Sequence, residues 1–247
     1  MSLRVLHVAP HPDDEVLGAP ATLFALRDAG AEVLNLCCTL GRAGDEARRE
    51  AEVAEACRRA GFGLRVVGDP GAIAGEVHGL LAEGGFDLVV STSPHDRHPT
   101  HERVGRAVLD ALDAGAGPDR WWLWGLWGEL PFPTTICGFD AGRLAEIRAV
   151  LEAHAGELAR NDFRRLLEGR AAAASILAAE RVFGFGSRGL GLPYVEVTTE
   201  VVRGADGWRL GAARALDPSD PFPPPSEQAI GWWLREASAG ERLRRGG

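Results

Sequence analysis

At 247 residues with 45% apolar content, the chain can bury a full core as one large domain, or one domain with an extension, but is too short for two equal domains. A net charge of -8 and a pI near 5.4 disfavour a nucleic-acid backbone or an anionic membrane surface as partner. No apolar run approaches the roughly 20 residues that span a bilayer, and every basic residue is arginine, which excludes a Schiff-base or P-loop lysine.

The first strand begins almost at Met1 and leaves no room for a signal peptide, so a cytoplasmic address is expected. Residues 4–9 read as a buried strand and 16–29 as a helix with Leu17, Leu23, Phe24 and Leu26 on its apolar side, closed by Gly30. A second strand over 32–38, a second helix over 47–60 ended by Gly61, and a third strand over 64–67 follow. A helix over 73–81 leads to a fourth strand over 86–91, a continuous apolar run of the kind found in parallel sheets, and then to a helix over 100–114. The alternation predicts an α/β fold: a Rossmann-like, doubly wound, mostly parallel sheet in the order 3-2-1-4-5.

Residues 1–135 form this core, with a Trp-rich strand from Trp121 running into a Pro-containing loop. An α+β extension over 136–215 follows, with a long helix over 141–160, another over 164–179, and strands over 193–203 and 208–214. Residues 216–247 comprise a Pro-rich linker and a C-terminal helix over about 226–243. The whole is expected to be a single catalytic domain. Cys37, Cys38, Cys57 and Cys137 form no CxxC pair and read as free thiols.

The first strand ends in Pro10-His11-Pro12-Asp13-Asp14-Glu15, one imidazole among three carboxylates. Capping a helix explains one such acid, not three beside a histidine. His11 and Asp14, three apart at a strand-to-helix corner, can be directed at one point, and their donor atoms suit Zn²⁺, or Fe²⁺ and Mn²⁺ in the same geometry. Asp13 lies between them, free to act on water. The fourth strand is followed by His95-Asp96-Arg97-His98-Pro99-Thr100-His101, and one of His98 and His101 should complete a triad with His11 and Asp14. Strands 1 and 4 are neighbours at the switch point of the expected sheet, so the two clusters face one crevice. No G-x-G-x-x-G follows strand 1, which disfavours a nucleotide-binding module.

Together, His11-Pro12-Asp13-Asp14-Glu15 and His98-Pro99-Thr100-His101 resemble the paired motifs of the PIG-L/LmbE-like family of zinc-dependent N-acetyl-sugar deacetylases. Weaker similarity runs through Thr39-Leu40-Gly41, Arg49-Glu50-Ala51-Glu52, Asp69 and the His154 helix to Phe183. The resemblance implies His11, Asp14 and His101 as metal ligands, Asp13 as general base, and His98 as the group that stabilises the oxyanion or assists protonation. It associates Arg49 and Asp69 with sugar hydroxyls, while the aromatic series 121–127 singles out Trp127 as a stacking surface at the lip. The family's second motif commonly reads H-P-D-H, and Thr100 stands here in place of the acid that would orient a neighbouring histidine. Either His95 or Asp96 is a candidate to compensate for that missing acid, though exposed loop is the safer reading of both; His154 reads as a core histidine with a supporting role open to it, and Glu15 as orienting the ligands or the helix start.

The expected activity is metal-dependent removal of an N-acetyl or longer N-acyl group from an amino sugar in a small glycoside, such as a thiol or antibiotic precursor. The partner is this small molecule, with no nucleic acid and no membrane. The alternatives are a metallohydrolase acting on another bond and an inactive sugar-binding module.

Overall fold

The computed structural model describes residues 2–238 and Arg242. Its centre is a parallel sheet of β1 (Arg4–Ala9), β2 (Glu32–Cys37), β3 (Gly63–Val66), β4 (Leu88–Thr92) and β5 (Arg120–Trp124). The pairings give the expected order 3-2-1-4-5, with β1 between β2 and β4. Apolar residues on both sides of β1, β2, β4 and β5 explain the parallel arrangement, because helices cover both faces. One face buries Leu23, Phe24, Val53, Ala56 and Ile147. The other buries Val77, Leu81, Val104, Val108 and Leu112.

Four helices follow the predictions closely: α3 (Glu46–Ala60), α4 (Ile73–Glu83), α5 (Pro99–Asp113) and, further on, α8 (Phe163–Phe183). The helix expected over 16–29 is instead two, α1 (Asp14–Leu17) and α2 (Pro20–Asp28). Pro20 opens α2, and Ala19 before it takes a non-helical conformation, as the residue preceding a proline tends to. The helix expected over 141–160 is likewise broken, into α6 (Ala141–Leu151) and α7 (Ala155–Arg160), with His154 at the start of α7 turned into the core.

The sheet does not stop at β5. β7 (Tyr194–Gly204) runs antiparallel to β5, and β6 (Thr135–Phe139), which its brevity hid among loop residues, runs antiparallel to β7. The strand expected over 208–214 divides between two partners, as β8 (Gly207–Leu210) forms a hairpin with β7 and β9 (Arg214–Ala215) pairs with β6. The C-terminal helix expected over 226–243 is confined to α9 (Gly231–Arg235); residues 239–241 and 243 lie outside the described ones. Among the described residues no helix is long and apolar enough to cross a membrane. All four cysteines are free and buried.

Candidate metal centre

Adjacent parallel strands with Val8 opposite Ser91 bring the ends of β1 and β4 together, and with them the two motifs. His11 Nδ1 lies 3.2 Å from His101 Nε2. Asp14 Oδ2 lies 3.3 Å from each of those nitrogens. Two nitrogens and a carboxylate oxygen thus form a nearly equilateral triangle. A tetrahedral Zn²⁺ with bonds of about 2.0–2.1 Å has ligand–ligand edges of about 3.3–3.4 Å. The donor set therefore fits a divalent metal in both chemistry and spacing. His11, His98 and His101 also lie within 4.8 Å of one another. The set with Asp14 is favoured physically, because it supplies an anion at the triangle and leaves His98 free to face a substrate.

Asp14 and His101 are each held by a further contact. Asp14 Oδ2 also accepts from the His11 backbone N–H at 2.9 Å. His101 Nδ1 lies 2.7 Å from Asp96 Oδ2, and a proton held there leaves Nε2 with a free lone pair for a metal. Burial lowers the His101 pKa, but Asp14 and Asp96 outweigh it and push it up to about 10 in the absence of a cation. The Trp124 indole stands edge-on to the His101 ring at 5.6 Å. Trp124 Nε1 donates to His7 Nε2, and His7 Nδ1 in turn meets Asn35 Oδ1 at 2.7 Å.

Asp13 is the sharpest backbone anomaly of the site. Its φ of 104° places a residue with a side chain in the left-handed region, a conformation costing on the order of 1–3 kcal/mol. Glu15 Oε2 accepts the Asp13 N–H at 3.0 Å and holds that turn. Burial, then the neighbouring Asp14 carboxylate, push the Asp13 carboxyl well above the usual range. His98 is the cap residue before α5; its Nδ1 is buried with no partner among the described residues, and burial together with His101 and His11 lowers its pKa.

These groups open onto a cavity of about 180 Å³. Asp13, Asp14, His11, His98 and His101 form its floor, and Arg49 and Trp127 its walls. Trp127, 52% exposed, stacks on the His98 ring at 5.9 Å. The other tryptophans of the series, Trp121, Trp122 and Trp124, are core. Arg49 is buried, donates to the Pro12 carbonyl at 2.9 Å and lies against Gly41, where a Cβ would overlap its guanidinium. Asp69 is placed elsewhere. It is exposed, caps the short 3-10 turn Pro70–Ala72 by accepting from Gly71, and is not among the residues lining this cavity.

Sequence reasoning misread Asp96 and missed part of the wall. Asp96 is fully buried rather than exposed loop, and besides His101 it accepts from the N–H groups of Leu126, Trp127 and Gly128. It supplies an acid for a motif histidine from five residues upstream, although position 100 is threonine. His95 is half-buried and holds the C-terminal segment, with Nε2 2.7 Å from the Trp233 carbonyl. Glu157, Arg160 and Phe163 line the cavity from the region of α7 and α8. Only the fold brings them there, since nothing in their local sequence distinguishes them from an ordinary helix surface.

Residues 6–112 match the family described as PIG-L: GlcNAc-PI de-N-acetylase. A curated relative, the probable N-acetyl-alpha-D-glucosaminyl L-malate deacetylase 2 of Bacillus cereus, is 32% identical over 136 residues, 45% of this chain and 62% of that protein. The matched length is thus under two thirds of that relative. Among solved structures, the zinc-inhibited form of teicoplanin deacetylase is 18% identical with a TM-score of 0.63, covering 83% of this chain and 100% of its own. The 4-carboxy-2-hydroxymuconate hydratase of Pseudomonas putida KT2440 is 15% identical with a TM-score of 0.64, covering 92% of this chain and 100% of its own. The family resemblance read from the two motifs is borne out, and both motifs fall inside the matched segment. The structural likenesses establish a shared fold, one that carries hydratase as well as deacetylase chemistry.

Proposed function

We propose that the protein is a metal-dependent amidohydrolase that removes an N-acetyl or longer N-acyl group from an amino sugar. The observation that carries this reading is the triangle of His11 Nδ1, Asp14 Oδ2 and His101 Nε2, with sides of 3.2–3.3 Å, beside a carboxylate and an imidazole that it does not use. His11, Asp14 and His101 would hold a divalent ion, Zn²⁺, Fe²⁺ or Mn²⁺. Such an ion supplies Lewis acidity, which makes water a better nucleophile and a carbonyl a better electrophile at neutral pH.

Asp13 faces the same cavity with a raised pKa, as suits a base that takes a proton from attacking water and returns it to the leaving amine. Its strained backbone aims the carboxylate while Asp14 is engaged with the two ligand histidines. His98 lines the same cavity beside His11 and His101, where its ring can donate to the oxyanion of the tetrahedral intermediate. Trp127 offers an apolar face to the sugar ring, and Arg49 with Glu157 and Arg160 offers donors and acceptors for its hydroxyls. The names of the family and of the Bacillus cereus relative support an N-acetylglucosaminyl substrate.

Acetate release from a panel of N-acetylated amino sugars, measured together with bound metal, tests the proposal on wild type and Asp13→Ala. Wild type should bind metal and release acetate, and the variant should bind metal but lose roughly 10²- to 10⁴-fold in turnover. A protein that binds the sugars but no metal would support the binding module. Metal binding with hydrolysis confined to another bond would support the other metallohydrolase.

A further inference from the structure

One carboxylate serves two masters at this site. Asp96, buried on all sides, gives Oδ2 to His101 at 2.7 Å and Oδ1 to three successive backbone N–H groups, those of Leu126 at 2.6 Å, Trp127 at 3.1 Å and Gly128 at 3.0 Å. The loop so gathered carries Trp127, which lies over His98. Its two glycines make the approach possible. A Cβ on Gly128 would come within 3.0 Å of the His95 carbonyl and 3.3 Å of the Asp96 backbone, and one on Gly125 within 2.2 Å of the Gly128 carbonyl.

We propose that Asp96 is a positioning residue that couples metal binding at His101 to the order of the substrate-facing loop over residues 126–128. The inference rests on the metal reading of the triangle above. A cation on His101 Nε2 strengthens the Nδ1–H as a donor and fixes Asp96. A fixed Asp96 then holds the three loop N–H groups and Trp127 in place. Coupling between sites is reciprocal, so loosening the loop must weaken the metal, by up to the factor by which the metal tightens the loop.

Amide hydrogen exchange at residues 126–128 and Zn²⁺ affinity by chelator competition, on the full chain with and without Zn²⁺, test the coupling. In wild type, Zn²⁺ should slow exchange at these amides by a factor of about 5 to 150, the usual range for coupled sites. Asp96→Asn, which keeps the shape but cannot accept two sets of donors, should weaken Zn²⁺ by roughly 10- to 100-fold and abolish the Zn²⁺-dependent protection. Gly128→Ala disturbs the loop without touching His101 and should also weaken Zn²⁺.

The coupling is overturned if Gly128→Ala frees the loop amides yet binds Zn²⁺ as wild type does, or if Zn²⁺ leaves wild-type exchange unchanged. A wild type that binds no Zn²⁺, Fe²⁺ or Mn²⁺ overturns the metal reading as well. Binding without coupling overturns this inference alone. A uniformly raised exchange throughout Asp96→Asn would signal lost folding, and Gly128→Ala then decides.

Discussion

His154 Nε2 meets Glu15 Oε1 at 2.5 Å, joining the break between α6 and α7 to the first motif across 139 residues of sequence. Both side chains are fully buried. Burial lowers the His154 pKa, but the Glu15 carboxylate more than offsets this and raises it. The other oxygen of Glu15 holds the Asp13 N–H, so the pair also clamps the strained turn of the proposed base.

Glu15→Gln should therefore act on stability and turnover together. It removes the carboxylate that meets the buried His154 ring and weakens the hold on Asp13, for an expected loss of about 1–3 kcal/mol in urea denaturation. Turnover should fall although the residue touches no substrate. Stability and turnover both equal to wild type would show that the clamp is idle.

A second outcome concerns the floor beneath His101. A Cβ at Gly18 would come within 2.6 Å of the Trp124 ring and 2.9 Å of the Asp14 carbonyl, and the Trp124 edge abuts His101. Gly18→Ala should destabilise the fold by about 1–3 kcal/mol through overpacking. It should also weaken metal binding, as Trp124 shifts against His101. A near-ultraviolet circular dichroism spectrum and metal affinity identical to wild type would mean that the helix break absorbs the methyl group freely.

Glu196 offers a pH test away from the proposed metal ligands. Its carboxylate accepts the N–H groups of Ala21 and Thr22 at the start of α2, at 3.0 and 2.9 Å, yet burial keeps its pKa above the ordinary value. Between the ordinary glutamate pKa of about 4.3 and this higher folded value, the folded state holds a proton that the unfolded state has lost. Stability from this group is present below that window and lost as pH rises through it. Glu196→Gln should thus gain on wild type in urea midpoint as pH climbs through the window. A stability difference that is constant across it, or that grows in favour of wild type, would contradict the assignment.

The parts of this molecule that were readable in advance are those set by local pattern. Apolar strands, the helices between them and the order 3-2-1-4-5 follow from runs such as Val5 to Ala9 and Leu88 to Val90, which must be covered on both faces. The facing of His11 and His101 then follows from adjacent strands. What escaped was set by distant contacts. Asp96 looks like any polar loop residue until Leu126, Trp127 and Gly128 present their N–H groups to it. His154 reads as a core histidine, but the helix break that turns it inward and its partner Glu15, 139 residues away, are not legible in the helical pattern around it. Strand β6 exists because β7 offers it a partner, not because five residues announce it.

The most direct test of the proposed metal centre is a reconstitution titration. Protein stripped of metal by a chelator is given increasing Zn²⁺, Fe²⁺ or Mn²⁺ while acetate release from an N-acetylglucosaminide is followed. The expected result is no release from the stripped protein, recovery that saturates near one equivalent, and no recovery in His101→Ala. Undiminished release from the stripped protein, or full recovery in His101→Ala, would contradict a catalytic metal held by His11, Asp14 and His101.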